Sequence, residues 1–237
     1  MTRSAVGAWA AAYIFSLKHR KVATLIKNVI RENLTYNDMC TLCDLAQAVF
    51  DIEKRHLDGV IIETGVGSGG SAIVLGATKT RDRRLFLYDV FGLHPPPSDN
   101  DGLDARQRYN LIATGKSPGI GGDLYYGYEK DLYNKVLRSL AHFGLEATTN
   151  NFCLEKGLYE DTLQIKSPVS LAHIDCDWYD SVLTCLNRIE PHLVRGGTIV
   201  VNNYWPGVQK AVDKYFENRD KNNYSFIQKS ALYIVRN

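Results

Sequence analysis

The sequence predicts an α/β protein: an open, mostly parallel sheet with helices on both faces, a C-terminal hairpin with one antiparallel strand, and extra helices at the N-terminus. Three observations carry this. Short apolar runs alternate with stretches of helical periodicity. A glycine-rich turn, "TGVGSGGS", follows the first strand-like run directly. Two strand-like segments, "YSFIQKS" and "ALYIVRN", close the chain with almost nothing between them.

In chain order, "AVGAWAAAYIFSL" (Ala5–Leu17) is an apolar helical run ending in "KHRK". It is shorter than the roughly 20 residues a membrane span requires. Its charge follows the run, and no small-residue cleavage site comes after it, so neither stable insertion nor secretion is expected. A helix packed on a second subunit, making a homodimer, is the first reading, and an interfacial anchor the second. Residues 36–57 read as a helix with Met39, Leu42, Leu45, Ala46 and Val49 on one face, capped by Thr35 or Asn37. Residues 1–57 are thus expected to form a helical cap or dimerisation segment, and 58–237 the ligand-binding domain.

"GVIIET" (Gly59–Thr64) is the first strand, apolar enough to be buried on both faces. The glycine turn and the helix "SAIVLGATKT" come next, then the strand "RLFLYDV" (Arg84–Val90). Residues 92–128 show no clear periodicity and read as a long lid or binding loop. In it, Tyr125, Tyr126 and Tyr128 stack on a ligand or tuck against the sheet. A helix ending at Gly144, a strand "NFCLEKG", a strand "VSLAHIDCDW" and a helix "YDSVLTCLNRIEPHL" come after it. "RGG" is read as a turn into the strand "TIVVNNY" (Thr198–Tyr204), followed by a last helix and the hairpin.

Composition is that of an ordinary globule: 45% apolar, 23% charged, formal net charge +2. Without a basic stripe, nucleic acid is not an expected partner. Five scattered cysteines suit a reducing, cytoplasmic setting. The lone Cys40-Thr-Leu-Cys43 reads as two buried helix residues, since no second pair follows to complete a zinc site.

Gly65, Gly67 and Gly70 form a GxGxxG, which alone suits a dinucleotide. Asp89 at the end of the next strand suits a ribose diol in dinucleotide and S-adenosylmethionine enzymes alike. Glu63, just before the turn, is expected to direct negative charge at the cavity, repelling a pyrophosphate and favouring an ammonium and a sulfonium. A dehydrogenase is therefore the weaker reading, and no GKS or GKT makes a P-loop. Asp175, Asp177, Asn202 and Asn203, at later strand ends, should face the same crevice. Asp177 reads equally well as a cap for the helix near Tyr179. A sheet closed by such a hairpin is the Rossmann-like arrangement expected of class I methyltransferases.

"ETGVGSGGS", "LYDVFGLHPPP", "EKGLYEDTL", "HIDCDWYDS" and "GGTIVVNNY" resemble, in order, the blocks of the macrocin O-methyltransferase family, from about Leu34 to Phe216. The resemblance implies an O-methyltransferase acting on a sugar or glycoside with S-adenosylmethionine and usually Mg²⁺. It implies that Glu63, Thr64, the Gly65–Gly70 turn and Ser71 hold the methionine part. By the same resemblance Asp89 holds the ribose, the "KGLYEDTL" region lies near the adenine, and Asp175 is counted among the cofactor-binding residues. The family's metal set falls on Asp175, Asn202 and Asn203. Its usual "DDY" is here Asn202-Asn203-Tyr204, which removes carboxylate charge that a hard cation uses. Three readings of this substitution stand: a transferase that still binds Mg²⁺ through Asp175, the Asn carbonyl oxygens and Asp177; a metal-free transferase; or a binding module that has lost transfer. Asp175 is the candidate base, with His173, two residues earlier on the same strand, as the alternative.

Overall fold

The computed structural model describes residues 5–237. Three helices, α1 (Ala5–Lys18), α2 (Arg20–Arg31) and α3 (Met39–Lys54), precede the first strand, β1 (Val60–Thr64). Then come α4 (Gly70–Thr78), β2 (Leu85–Asp89), α5 (Leu103–Ala113), α6 (Leu132–His142), β3 (Phe152–Lys156) and the single turn α7 (Tyr159–Thr162). The chain ends with β4 (Val169–Ile174), α8 (Tyr179–Ile189), β5 (Leu193–Val201), α9 (Pro206–Phe216), β6 (Tyr224–Gln228) and β7 (Leu232–Arg236).

The seven strands lie in the order β3-β2-β1-β4-β5-β7-β6. β1 to β5 pair in parallel, and β7 runs antiparallel between β5 and β6. The expected sheet and terminal hairpin are both present. Strand order reverses between β1 and β4, and such a switch point opens a crevice at the carboxyl ends of the strands.

Alternation along the central strands divides the core. Ile61, Leu85, Leu171 and Val200 face one side, packed with Val29, Leu45, Ile73 and Val136 from α2, α3, α4 and α6. Ile62, Ala172 and Ile199 face the other, against Val182 and Val208 of α8 and α9. The segment before residue 58 thus shares its core with the sheet.

Four local expectations need correction. The cap of α3 is Asp38, whose carboxylate accepts the Thr41 N–H at 2.8 Å; Thr35 instead turns back on the Asn37 amide. Within 92–128 the chain forms α5, a helix that buries only Ile112 and so has little apolar periodicity to read. Gly196 and Gly197 do not turn the chain. They lie inside β5, where the register with β4 shifts, and Arg55 Nη1 donates to the Gly196 carbonyl at 3.1 Å. Asp177 does not cap α8: Asp101 reaches in, accepting the Tyr179 N–H at 2.7 Å.

Cys40 and Cys43 are both buried in α3, and burial pushes the Cys43 thiol up to about 12. Among the described residues, no helix is long and apolar enough to cross a membrane. Helix α1 buries Ala12 and Phe15 and exposes Trp9, Tyr13, Ile14 and Leu17.

Candidate active site

All five parallel strands deliver the residues after their carboxyl ends to one cavity of about 610 Å³, within the size range of small-molecule sites. β1 contributes Gly65–Ser68, β2 Asp89, β3 Leu158–Glu160, β4 Asp175–Trp178 and β5 Asn203. Leu34–Asn37 close one side and His94, Arg108, Tyr125 and Tyr126 another.

The glycine turn is as tight as its sequence implies. Gly65 has φ +89°, and a Cβ there would lie 2.3 Å from the Asp175 carbonyl oxygen. Only glycine permits that approach between the ends of β1 and β4. Asp89 braces the same turn. Its Oδ2 accepts the Val66 and Gly67 amides at 2.7 and 3.0 Å, and its Oδ1 accepts the Phe91 amide at 2.7 Å. Burial pushes the Asp89 carboxyl up, against the lowering effect of these three bonds. A carboxylate has about four lone-pair positions, so one is left for a ligand.

Glu63 is not at the cavity wall. It is fully buried in β1, opposite His173 of β4, and its Oε1 bonds His173 Nδ1 at 2.8 Å. Its Oε2 is buried without a hydrogen-bond partner. Thr64 is equally buried and also lies off the wall, whereas Ser71 lines it. His173 does not reach the cavity, because β4 is covered on both faces. It is therefore not placed to take a proton from a ligand there. The negative potential expected of Glu63 comes from elsewhere. Five carboxylates line the cavity (Asp89, Glu160, Asp175, Asp177, Asp180), and Arg108 is the one Lys or Arg among the described lining residues. That guanidinium lies over the Tyr125 ring, 5.4 Å from its centroid.

Asp175 stands just past β4 beneath a cover of amides. Its Oδ1 accepts Asn202 Nδ2 at 3.1 Å and Asn203 Nδ2 at 3.0 Å; its Oδ2 accepts Asn37 Nδ2 at 3.3 Å. Asn202 also donates to Asn37 Oδ1 at 2.6 Å, and Asn203 to Asp177 Oδ1 at 3.1 Å. Burial raises the Asp177 carboxyl, with His94 acting in the lowering direction. The three residues expected as a metal set are thus brought together, but with amide nitrogen toward Asp175. Mg²⁺ is held by oxygen and by carboxylate charge. Among the described residues, no group of three His, Cys, Asp or Glu is placed to hold a metal. As arranged, this donor set does not fit a divalent cation.

In the lid, Tyr126 bonds His94 Nε2, and Trp178 Nε1 donates to the Pro95 carbonyl at 2.9 Å, tying the "HPPP" segment to the start of α8. Tyr125 and Tyr126 line the cavity; Tyr128 does not, its hydroxyl donating to the Ile112 carbonyl at 2.7 Å. Sequence reading missed Asn37, His94 and Arg108 as site residues. The "HPPP" cluster was a visible signal for His94, but nothing local marks Asn37 or Arg108.

A family model described as macrocin-O-methyltransferase (TylF) matches residues 33–233. The chain belongs to this family. The matched span covers every element from α3 to β6 and the first two residues of β7, including all the cavity-lining segments. Demethyldecarbamoylnovobiocin O-methyltransferase of Streptomyces niveus is 26% identical over 181 residues, 73% of this chain. The chain spans 63% of that relative's length. The solved O-methyltransferase NovP superposes with a TM-score of 0.66 at 23% identity, covering 85% of this chain and 83% of NovP. CalS11, a calicheamicin methyltransferase, gives 0.63 at 16% identity, with 92% and 90% covered. An O-methyltransferase from Bacillus cereus, solved in complex with SAH, gives 0.58 at 12%, with 90% and 91% covered. These likenesses establish the class I methyltransferase fold for this member of the macrocin O-methyltransferase family.

Proposed function

We propose that the protein is an S-adenosylmethionine-dependent O-methyltransferase whose acceptor is a hydroxyl on a sugar or glycosylated compound. The carrying observation is a cavity at the strand switch point, floored by a glycine turn and walled by five carboxylates. Such a wall favours a positively charged nucleoside and disfavours a pyrophosphate. Family membership and the description of CalS11 as a TDP-rhamnose 3'-O-methyltransferase support the acceptor class.

When bound, S-adenosylmethionine supplies an electrophilic methyl group on a sulfonium. The Gly65–Gly67 backbone and Ser71 receive the methionine part, and the remaining lone pair of Asp89 receives a ribose hydroxyl. Leu158–Glu160 border the adenine end. The lid side chains Tyr125, Tyr126 and His94 flank the acceptor and keep water from it. Holding the acceptor oxygen in line with the methyl carbon and sulfur supplies much of the rate. Asp175 Oδ2, which carries the one long amide contact, is the base. It would accept the proton of the acceptor hydroxyl during methyl transfer.

Methyl-labelled S-adenosylmethionine incubated with a panel of glycosides tests this, together with calorimetry of S-adenosylhomocysteine. Label in a glycoside is the expected result. Tight binding of a dinucleotide with indifference to S-adenosylhomocysteine overturns it. One observation favours a second reading, a binding module without turnover: three amides already engage Asp175. Cofactor binding with no transfer to any glycoside supports that reading. The exposed apolar face of α1 is read as the surface a second subunit covers, and light scattering giving a monomer removes that assignment.

A further inference from the structure

We infer that Asn37, Asn202 and Asn203 stand in the place of a divalent cation, so that the site works without a metal ion, and that Asn37 is a positioning residue for Asp175. This rests on the methyltransferase reading of the same cavity.

The amide network is closed. An amide NH₂ has two hydrogens, and Asn202 and Asn203 each direct theirs at two oxygens. For Asn202 these are Asp175 Oδ1 at 3.1 Å and Asn37 Oδ1 at 2.6 Å. For Asn203 they are Asp175 Oδ1 at 3.0 Å and Asp177 Oδ1 at 3.1 Å. An ionised carboxylate only accepts, so the nitrogen of each amide must face it. Turning either carbonyl oxygen toward a cation breaks two hydrogen bonds.

The backbone holds this arrangement. The Asn202 amide donates to the Ile174 carbonyl at 2.9 Å, joining the ends of β4 and β5, and the Asn202 side chain is buried. Asn203 has φ +47°, a left-handed conformation that Asn and Asp tolerate better than other side chains. A cation would lower the acceptor hydroxyl's pKa; neutral amides do not, and the proton is left to Asp175. What the amides supply is orientation. They fix Oδ1 from the β5 side, and Asn37 fixes the carboxylate plane from the N-terminal segment while Oδ2 keeps a lone pair.

The test uses the full chain loaded with S-adenosylhomocysteine and Mn²⁺ as an electron-paramagnetic-resonance probe. The wild type is expected to leave Mn²⁺ free at millimolar concentration. Asn202→Asp and Asn203→Asp, combined, should tighten Mn²⁺ binding by at least about tenfold, because two carboxylate charges are added beside Asp175. Asn203→Asp alone, at an exposed position, serves if the buried change prevents folding. Label transfer should be indifferent to EDTA. Asn37→Ala should lower kcat by about tenfold or more with KM for S-adenosylmethionine unchanged, a split that general loosening of the fold would not give. One-to-one Mn²⁺ binding at micromolar concentration by the wild type overturns the inference, as does transfer lost in EDTA and restored by Mg²⁺. Failure to bind S-adenosylhomocysteine at all removes the underlying methyltransferase reading instead.

Discussion

Glu63 and His173 lie opposite each other in the β1–β4 register and share a 2.8 Å hydrogen bond, wholly buried below the cavity. Burial pushes the Glu63 carboxyl above its ordinary value. For His173 burial works downward, but the Glu63 hydrogen bond and the charges of Asp175 and Glu63 outweigh it and raise the imidazole above 6.5. Both groups therefore hold their proton more tightly in the folded state. The stability this gives is complete below the unfolded-state values and is lost as pH rises through the folded ones. Wild-type melting temperature should fall as pH climbs past about 6.5, and His173→Gln should flatten that slope. Calorimetric melts across this range check it; identical slopes would mean that the pair has no such role.

Asp89 is both a brace and a candidate ribose acceptor. Asp89→Ala leaves the Val66, Gly67 and Phe91 amides without their acceptor, a loss of about 1–3 kcal/mol for each that stays buried and unpaired. Melting temperature and S-adenosylhomocysteine affinity should both drop, affinity by about tenfold or more. Calorimetry on the folded variant reads the second effect directly.

Gly65→Ala places a Cβ 2.3 Å from the Asp175 carbonyl oxygen at φ +89°. A denaturant melt should show a loss above about 2 kcal/mol. Unchanged stability would mean that β1 and β4 separate freely at this end.

Asp175→Asn keeps the shape of the side chain and removes the base. Turnover should fall by about 10²–10⁴, with S-adenosylhomocysteine affinity within about threefold of wild type. Single-turnover label transfer with calorimetry in parallel checks this; full activity removes the assignment.

Asp101→Ala removes the acceptor for the first amide of α8, and with it the Oδ2 bond to the Ser98 N–H at 2.9 Å. A loss of about 1 kcal/mol is expected, as for other helix caps. Equilibrium urea unfolding measures it.

Sheet, glycine turn and hairpin were legible because each is written in local pattern. A strand covered on both faces, such as "VIIET", is apolar over most of its length (Val60–Ile62), and a turn pressed against a neighbouring strand must lack a Cβ at the point of contact, here Gly65. Helix α5 was illegible for the converse reason: burying little, it carries little periodicity. Asp175, Asn202 and Asn203 each lie just past a strand end and meet by hydrogen bonds, as strand pattern implies, although Asn202 itself is not part of the cavity lining.

The sequence by itself determined the α/β class, the crevice at the strand ends, the family, and the Asn202-Asn203 pair after the fifth strand. Only the tertiary structure decided where those groups point. Glu63 turns from the cavity toward a histidine 110 positions on, and Asn202 finds Asn37 across 165 positions. Hydrogen-bond direction depends on which donor lies within about 3 Å, and contacts between residues so far apart in the chain leave no mark on local pattern.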